Sequence, residues 1–252
     1  MGALMKAYLV FRLYGPMASW GQPAVGGERP TGLYPGRSAI LGLLGAALGI
    51  RRDNESELTK LRESVLIAIK QVVPSSLIRD YHTTQVPTHE NNVIHQSRKS
   101  ELSSDKLNTI LSNRDYRCDG IWIVAIALTR HASFTLEQLR DALLKPVFVL
   151  HLGRKSCPPA LPLCPKLTER TILKAALDIS FPPLIHSNEE DKLWLGANGL
   201  VTYFWEGKRD EIISSNILIS HPWDEPINRG RWQFRQRTMY QLSVEEGVNV
   251  FV

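Results

Sequence analysis

The chain has 252 residues, enough to bury one large core or two small ones, and its 43% hydrophobic and 22% charged content excludes wholesale disorder. Lysine and arginine number 30 against 25 aspartates and glutamates, a net charge of +5 that suits a polyanionic partner without establishing one. The longest apolar stretch, 39–50, falls well short of the roughly 20 residues that span a bilayer, so no membrane partner is expected.

Met1–Lys6 has no basic segment leading into an apolar one with a cleavage site, and the natural start is Met1 or Met5. The cysteines, Cys118, Cys157 and Cys164, are odd in number and form no C-x-x-C pair. The expectation is a cytoplasmic protein with reduced thiols.

In chain order, 6–13 (KAYLVFRL) reads as a strand. A loop dense in glycine and proline follows over 14–36. Ser38 can cap a helix to Leu48 that Gly49 ends, and Asp53 a second helix to about Glu63. Residues 65–73 read as a strand. The polar, weakly periodic stretch 83–113 reads as a protruding arm with a short helix near 105–111. Residues 121–129 (IWIVAIALT) form the strongest buried strand, and Thr135 caps a helix to Leu144 that Pro146 ends. A short strand at 147–150 enters the loop 153–165. Beyond it a helix at 168–177 and strands at 193–205, 212–219 and 238–244 are expected.

That order predicts an α+β fold of the ferredoxin-like, split β-α-β kind. The domain expected is 5–165, with its arm at about 83–113, followed by a small mostly-β C-terminal α+β region over 166–252.

Arg29 and Arg37 lie in a loop just before a helix N-terminus. Free N–H groups, the helix dipole and guanidinium forks all favour phosphate there, although such arginines can also simply meet solvent or a carboxylate. Gly42, Gly45, Ala46 and Gly49 share one helix face, which favours close packing on a sheet over phosphate cradling; no Walker pattern follows them. Arg154, Lys155 and Ser156 follow Gly153 in a second loop suited to phosphate. Arg231, Arg235 and Arg237 would form a basic stripe on one strand face, with Trp232 and Phe234 packed beneath it.

A metal-free ribonuclease would need a His and a partner acid or base, and Tyr81-His82 is the pair on offer. His151, Cys157 and Cys164 match no usual zinc spacing and lack a fourth ligand, so neither metal nor cofactor is expected.

Several motifs in sequence resemble the CasD subunit family of type I-E CRISPR Cascade complexes. They are 13–22 (LYGPMASWGQ), 29–32 (RPTG), 35–38 (PGRS), 42–50 (GLLGAALGI), 79–83 (RDYHT), the spaced Arg114, Tyr116 and Asp119, and 152–158 (LGRKSCP). A weaker likeness closes the chain at 224–226 (DEP), Arg231, Phe234 and Arg237. Gly36 stands where the family usually has threonine.

The resemblance implies a RAMP-type (RRM-like) ferredoxin core with a thumb at the arm. It implies a non-catalytic subunit that caps the 5′ handle of a CRISPR RNA beside the backbone and large subunits, meeting target DNA only through the complex. The residues implied in RNA binding are Trp20, Gln22, Arg29, Arg37, Ser38, Arg79, Arg154, Lys155 and Ser156. A metal-independent endoribonuclease that processes the precursor RNA, using His82 and Tyr81, is the alternative.

Overall fold

A computed structural model describes residues 5–24, 26–88, 94–103, 105–195, 199–228 and 230–245. Strand β1 (Lys6–Tyr14) alternates Leu9, Phe11 and Leu13 on one face with Tyr8 and Val10 on the other, and both sets are buried. Short strands β2 (Met17–Ala18) and β3 (Glu28–Arg29) punctuate the glycine- and proline-rich segment. Helix α1 is Arg37–Leu48. Its cap residue is Gly36, not Ser38, and the missing side-chain bond is supplied from afar: the Arg37 N–H donates to the Asp224 carboxylate at 2.8 Å. Gly49 ends the helix in the left-handed region (φ 75°), as its sequence position predicts. Helix α2 (Glu55–Ser64) is capped by Asn54 rather than Asp53, through the Glu57 N–H at 3.2 Å.

Strand β4 (Val65–Val73) leads into β5 (Ser76–Pro87), helix α3 (Arg98–Leu102), β6 (Leu107–Cys118) and β7 (Ile121–Leu128). Helix α4 (Leu136–Leu144) opens with Thr135 and Gln138 capping each other's backbone. Then come β8 (Lys166–Arg170), α5 (Leu173–Leu177), α6 (Asn188–Leu195), β9 (Leu200–Trp205), β10 (Leu218–Ser220), β11 (Glu225–Asn228), β12 (Gln233–Arg235) and β13 (Met239–Glu245).

The main sheet runs β10-β13-β9-β4-β7-β1-β8, with every neighbouring pair antiparallel. Within it β4-β7-β1-β8, crossed by α1 and α4, is the ferredoxin-like arrangement expected. The fourth strand is β8, and β9 pairs directly with β4, so β9, β13 and β10 continue this same sheet while β11 and β12 pair with each other apart from it. Helices α1 and α4 cover one face over Leu9, Phe11, Ile67 and Val124. Leu173, Ala176 and Leu177 of α5, with Phe181 and Leu184, cover the other over Val10, Ala68 and Ala125.

Several local expectations fail for identifiable reasons. Residues 147–150 form no strand; the Val147 and Phe148 N–H groups donate to the Ala47 and Ala46 carbonyls at 3.0 and 3.1 Å, satisfying the last turn of α1. Residues 168–170 pair with the free edge of β1, so the helix expected at 168–177 shrinks to α5. Residues 193–195 belong to α6, and only the end of 212–219 enters a strand. On α1, Gly45 faces Leu58 and Leu61 of α2 and Gly42 is exposed, so the small residues seat a helix rather than a sheet.

The arm is a long antiparallel hairpin, paired from Ser76↔Cys118 out to Pro87↔Leu107. Its helix is at 98–102, opened by a Ser97–Ser100 capping box, while 107–111 is strand. Residues 89–93 and 104 of the expected arm lie outside the described residues.

Candidate nucleic-acid interface

The base of the arm meets the two glycine loops in a four-stranded sheet. β6 pairs with β5 along one edge and with β2 and β3 along the other. Trp20 is buried, edge-on to Trp122 at 5.2 Å between ring centroids, and its backbone N–H donates to Thr31 Oγ1 at 2.8 Å. It therefore pins the loop and does not face a base, whereas Gln22 two residues on is exposed.

Two glycines make this packing possible. A Cβ at Gly27 would press on the Leu111 carbonyl, and one at Gly153 (φ 90°) would overlap the Ser19 carbonyl. With neither present, the Asn113 N–H reaches the Gly27 carbonyl at 3.0 Å and the Ser19 N–H reaches the Leu152 carbonyl at 2.9 Å. Loop 153–156 is thereby held against the foot of the arm.

Arginines converge on Asp115. Its carboxylate accepts from Arg79 Nε at 2.8 Å and Nη2 at 3.1 Å, and its carbonyl accepts from Arg154 Nη1 at 3.0 Å and Ser19 Oγ at 3.2 Å. Arg154 Nη2 reaches on to the Arg29 carbonyl at 2.8 Å, and its guanidinium lies 4.8 Å from the Tyr116 ring centroid. The hydrogen bond from Arg79, with the nearby charges of Arg79, Arg154 and Arg117, holds the Asp115 carboxyl below its ordinary range despite the opposing effect of burial.

Arg29 stands beside Arg114 in the β3–β6 register, and Arg117 donates to the Gly32 carbonyl at 3.1 Å. Arg29, Lys155 and Ser156 are exposed on the rim, and Arg79 keeps 57% of its side chain in solvent. Arg79, Arg117 and Arg154 thus gather at Asp115, while Arg114 lies on the other face of β6 between Arg29 and Asp80 in register. Such a surface can hold phosphate oxygens in a fixed geometry. Arg114 and Arg117 were not singled out for binding in the sequence. Arg117 shares the strand face of Asp115 and Arg114 the opposite one, an alternation visible only once 107–118 is known to be a strand.

Other expected residues lie elsewhere. Arg37 is buried, paired with Glu206 at 2.6 Å and Glu225 at 2.5 Å, and donates to the Val65 and Arg62 carbonyls. Its guanidinium is thus committed to protein partners and turned away from solvent. Ser38 is half-buried within the first turn of α1. Arg237 leaves the expected stripe for Asp224, at 2.6 and 3.0 Å, and Glu206, at 3.3 Å. Arg231 and Arg235 remain exposed; Trp232, expected beneath them, is 61% exposed instead, and Arg229 lies outside the described residues.

Tyr81 and His82 are neighbours on β5, so their side chains point to opposite faces of the hairpin. His82 Nδ1 lies 3.4 Å from Asp80 and the Tyr81 ring is 64% exposed, so the two do not converge on one reacting atom. Among the described residues no group of three or more His, Cys, Asp or Glu could hold a metal ion, and no helix is long and apolar enough to cross a membrane.

Comparison with known proteins agrees with this architecture. Two solved structures, one titled "CRISPR RNA-guided surveillance complex" and one "Crystal structure of Cas protein", share the fold at TM-scores of 0.62 and 0.61. Each is 23% identical and covers 95% of this chain, which spans 90% and 95% of theirs respectively. The CRISPR system Cascade subunit CasD of Escherichia coli (strain K12) is 42% identical over 167 residues, 63% of this chain and 70% of that protein. The family model described as "CRISPR-associated protein (Cas_Cas5)" matches residues 8–240, which takes in the ferredoxin-like core, the arm and the arginine-rich foot together. On the strength of that match and of the identity to CasD, the chain belongs to the CRISPR-associated Cas_Cas5 family.

Proposed function

We propose that this chain is a non-catalytic RNA-holding subunit of a type I-E Cascade surveillance complex, and that it caps the 5′ handle of the guide RNA at the foot of the arm. The observation that carries this reading is the arginine network centred on Asp115, locked to two glycine loops by the protein's own hydrogen bonds. A preorganised cationic surface binds a phosphate backbone without first having to order flexible side chains. Arg29, Lys155, Ser156 and the open side of Arg79 meet phosphates, and Gln22 lies where a base edge can reach it. The arm carries the chain toward the backbone subunits, the large subunit packs nearby, and target DNA is met only through the assembled complex. Membership of the family and the identity to a Cascade subunit support the assembly part of this reading.

The test is binding of the full chain to handle RNA across a range of salt concentrations. Removing both Arg29 and Lys155 should weaken binding and flatten the log–log salt slope by about 0.7 for each single-strand phosphate that is no longer neutralised. An unchanged slope would refute the assignment. Incubation with repeat RNA in EDTA separates the endoribonuclease alternative: specific cleavage abolished by His82→Ala would replace the holding role with a processing one.

A further inference from the structure

A second cationic surface lies away from the foot of the arm, at the tip of the β11–β12 hairpin. Trp232 sits there with φ at 52°, a conformation bulky L residues rarely adopt, and its ring is 61% exposed. The Arg52 guanidinium, from the α1–α2 connection, lies over that ring at 3.9 Å from the centroid. Phe234 is nearly parallel to it, 29° off at 6.5 Å. Arg51 precedes Arg52 in the chain, Arg231 and Arg235 flank Trp232 on the hairpin, and all three are exposed; Asp53 is the acidic residue among these described loop positions.

The hairpin that carries Trp232 is held firmly. Asn228 Oδ1 accepts from the Arg231 N–H at 2.8 Å across the turn, and Arg62 donates to the Pro226 and Ile227 carbonyls at 3.0 and 3.2 Å. At its root, buried Glu225 pairs with buried Arg37. A deep ionic anchor thus fixes an exposed tryptophan in a costly backbone conformation, which a solvated turn would not need.

We infer that Arg52 and Trp232 form a stacking platform for a base of single-stranded nucleic acid, with Arg51, Arg231 and Arg235 meeting the flanking phosphates. Stacking is sequence-tolerant because every base has a π face, and four arginines on the two segments that meet there favour a polyanion over a protein surface. The inference does not depend on the arm-foot reading, because it uses none of the same residues.

The experiment measures binding of the full chain to labelled single-stranded oligo-U and oligo-dT of one length, and to a duplex of that length. Trp232→Ala should weaken single-strand binding roughly 5- to 100-fold, while Trp232→Phe, which keeps a ring, should lose much less. The oligo-U and oligo-dT arms show whether the strand is RNA or DNA. Far-ultraviolet circular dichroism and a thermal melt of each variant confirm that the fold is retained, and Arg52→Ala provides a second variant outside the hairpin. Unchanged single-strand binding in both Trp232→Ala and Arg52→Ala would overturn the platform. So would an equal loss on the duplex, or loss of co-purifying subunits with nucleic-acid binding intact. The Arg29 and Lys155 double variant, run alongside, distinguishes the two surfaces: if it alone loses handle binding, the platform fails and the arm-foot reading stands.

Discussion

Arg79 and Asp115 face each other across the β5–β6 register, and the guanidinium closes on the carboxylate with two hydrogen bonds, at 2.8 and 3.1 Å. The pair fastens the arm at its foot, where the same aspartate's carbonyl also holds Arg154. Because folding lowers the Asp115 carboxyl, the pair's contribution is present above the ordinary carboxylate value and is lost as pH falls through the folded one. Asp115→Asn should therefore destabilise the chain at neutral pH, and the gap from the parent should close below about pH 4. Urea unfolding at pH 7 and pH 3 checks this; a gap independent of pH would mean that ionisation of Asp115 is not what secures the arm.

Arg37 makes a different prediction from an exposed phosphate ligand. Replacing it with methionine takes the nearest cation from buried Glu206 and Glu225, leaving them the longer contacts to Arg237 at 3.3 Å and Arg62 at 3.9 Å, which should cost about 3 kcal/mol of stability. Burial pushes the Glu206 carboxyl up, and Arg37 and Arg237 pull it back. Without Arg37 it rises further, so the folded state must retain a proton that the unfolded chain releases above the ordinary glutamate range. The penalty should grow as pH rises and ease on acidification, and Glu206→Gln in the same chain should recover part of it. Denaturant midpoints at pH 5 and 8 report all three effects; an Arg37→Met chain as stable as the parent but unable to bind handle RNA would restore the phosphate role.

Gly153 links backbone geometry to the candidate interface. Alanine there meets both a positive φ and the Ser19 carbonyl, so loop 153–156 must move away from the arm. The expected result is a loss of about 1–3 kcal/mol together with weaker handle binding. Gly21→Ala, where a Cβ meets nothing within 4 Å, should leave the melting temperature unchanged. Thermal melts of both variants, paired with handle-RNA titration of Gly153→Ala, separate the local strain from a general effect of added methyl groups.

The split β-α-β order was legible because β1, β4 and β7 are long, apolar and bounded by turn residues, and because Thr135 and Gly49 are unambiguous helix punctuation. β8 was not legible, since its five residues are mostly polar and become a strand only by pairing with the free edge of β1. The arm's polar pattern hid a hairpin because both its faces are largely solvated, which removes the alternation that marks a half-buried strand. At the site, arginine content was visible but arginine allegiance was not. Arg37 and Arg237 pair with Glu206, Asp224 and Glu225, acids at least 169 residues along the chain from Arg37. Trp20 is buried and Trp232 exposed, the reverse of what was expected, for the same reason, since burial depends on tertiary neighbours and not on local composition.

Gly36 shows how one local departure can be offset from a distance. A threonine at this position could cap α1 directly through its hydroxyl. This chain has glycine at φ −63° and ψ 162°, values that threonine also adopts, and Asp224 caps the helix in its place. The two solutions exclude each other, because a Cβ at Gly36 would lie 2.9 Å from Asp224 Oδ2. Asp224→Ala should cost more than the roughly 0.5–2 kcal/mol of a lost cap, because it also strips Arg237 of its bidentate partner. In a Gly36→Thr background the capping share of that cost should shrink, since the new Cβ already crowds Asp224 away from the Arg37 N–H and the new hydroxyl caps the next N–H groups of the turn, while the Arg237 share persists. A double-mutant cycle by urea unfolding should therefore give a coupling energy of about 1 kcal/mol between positions 36 and 224. Strict additivity would mean that the Asp224 hydrogen bond at 2.8 Å is not what starts the helix.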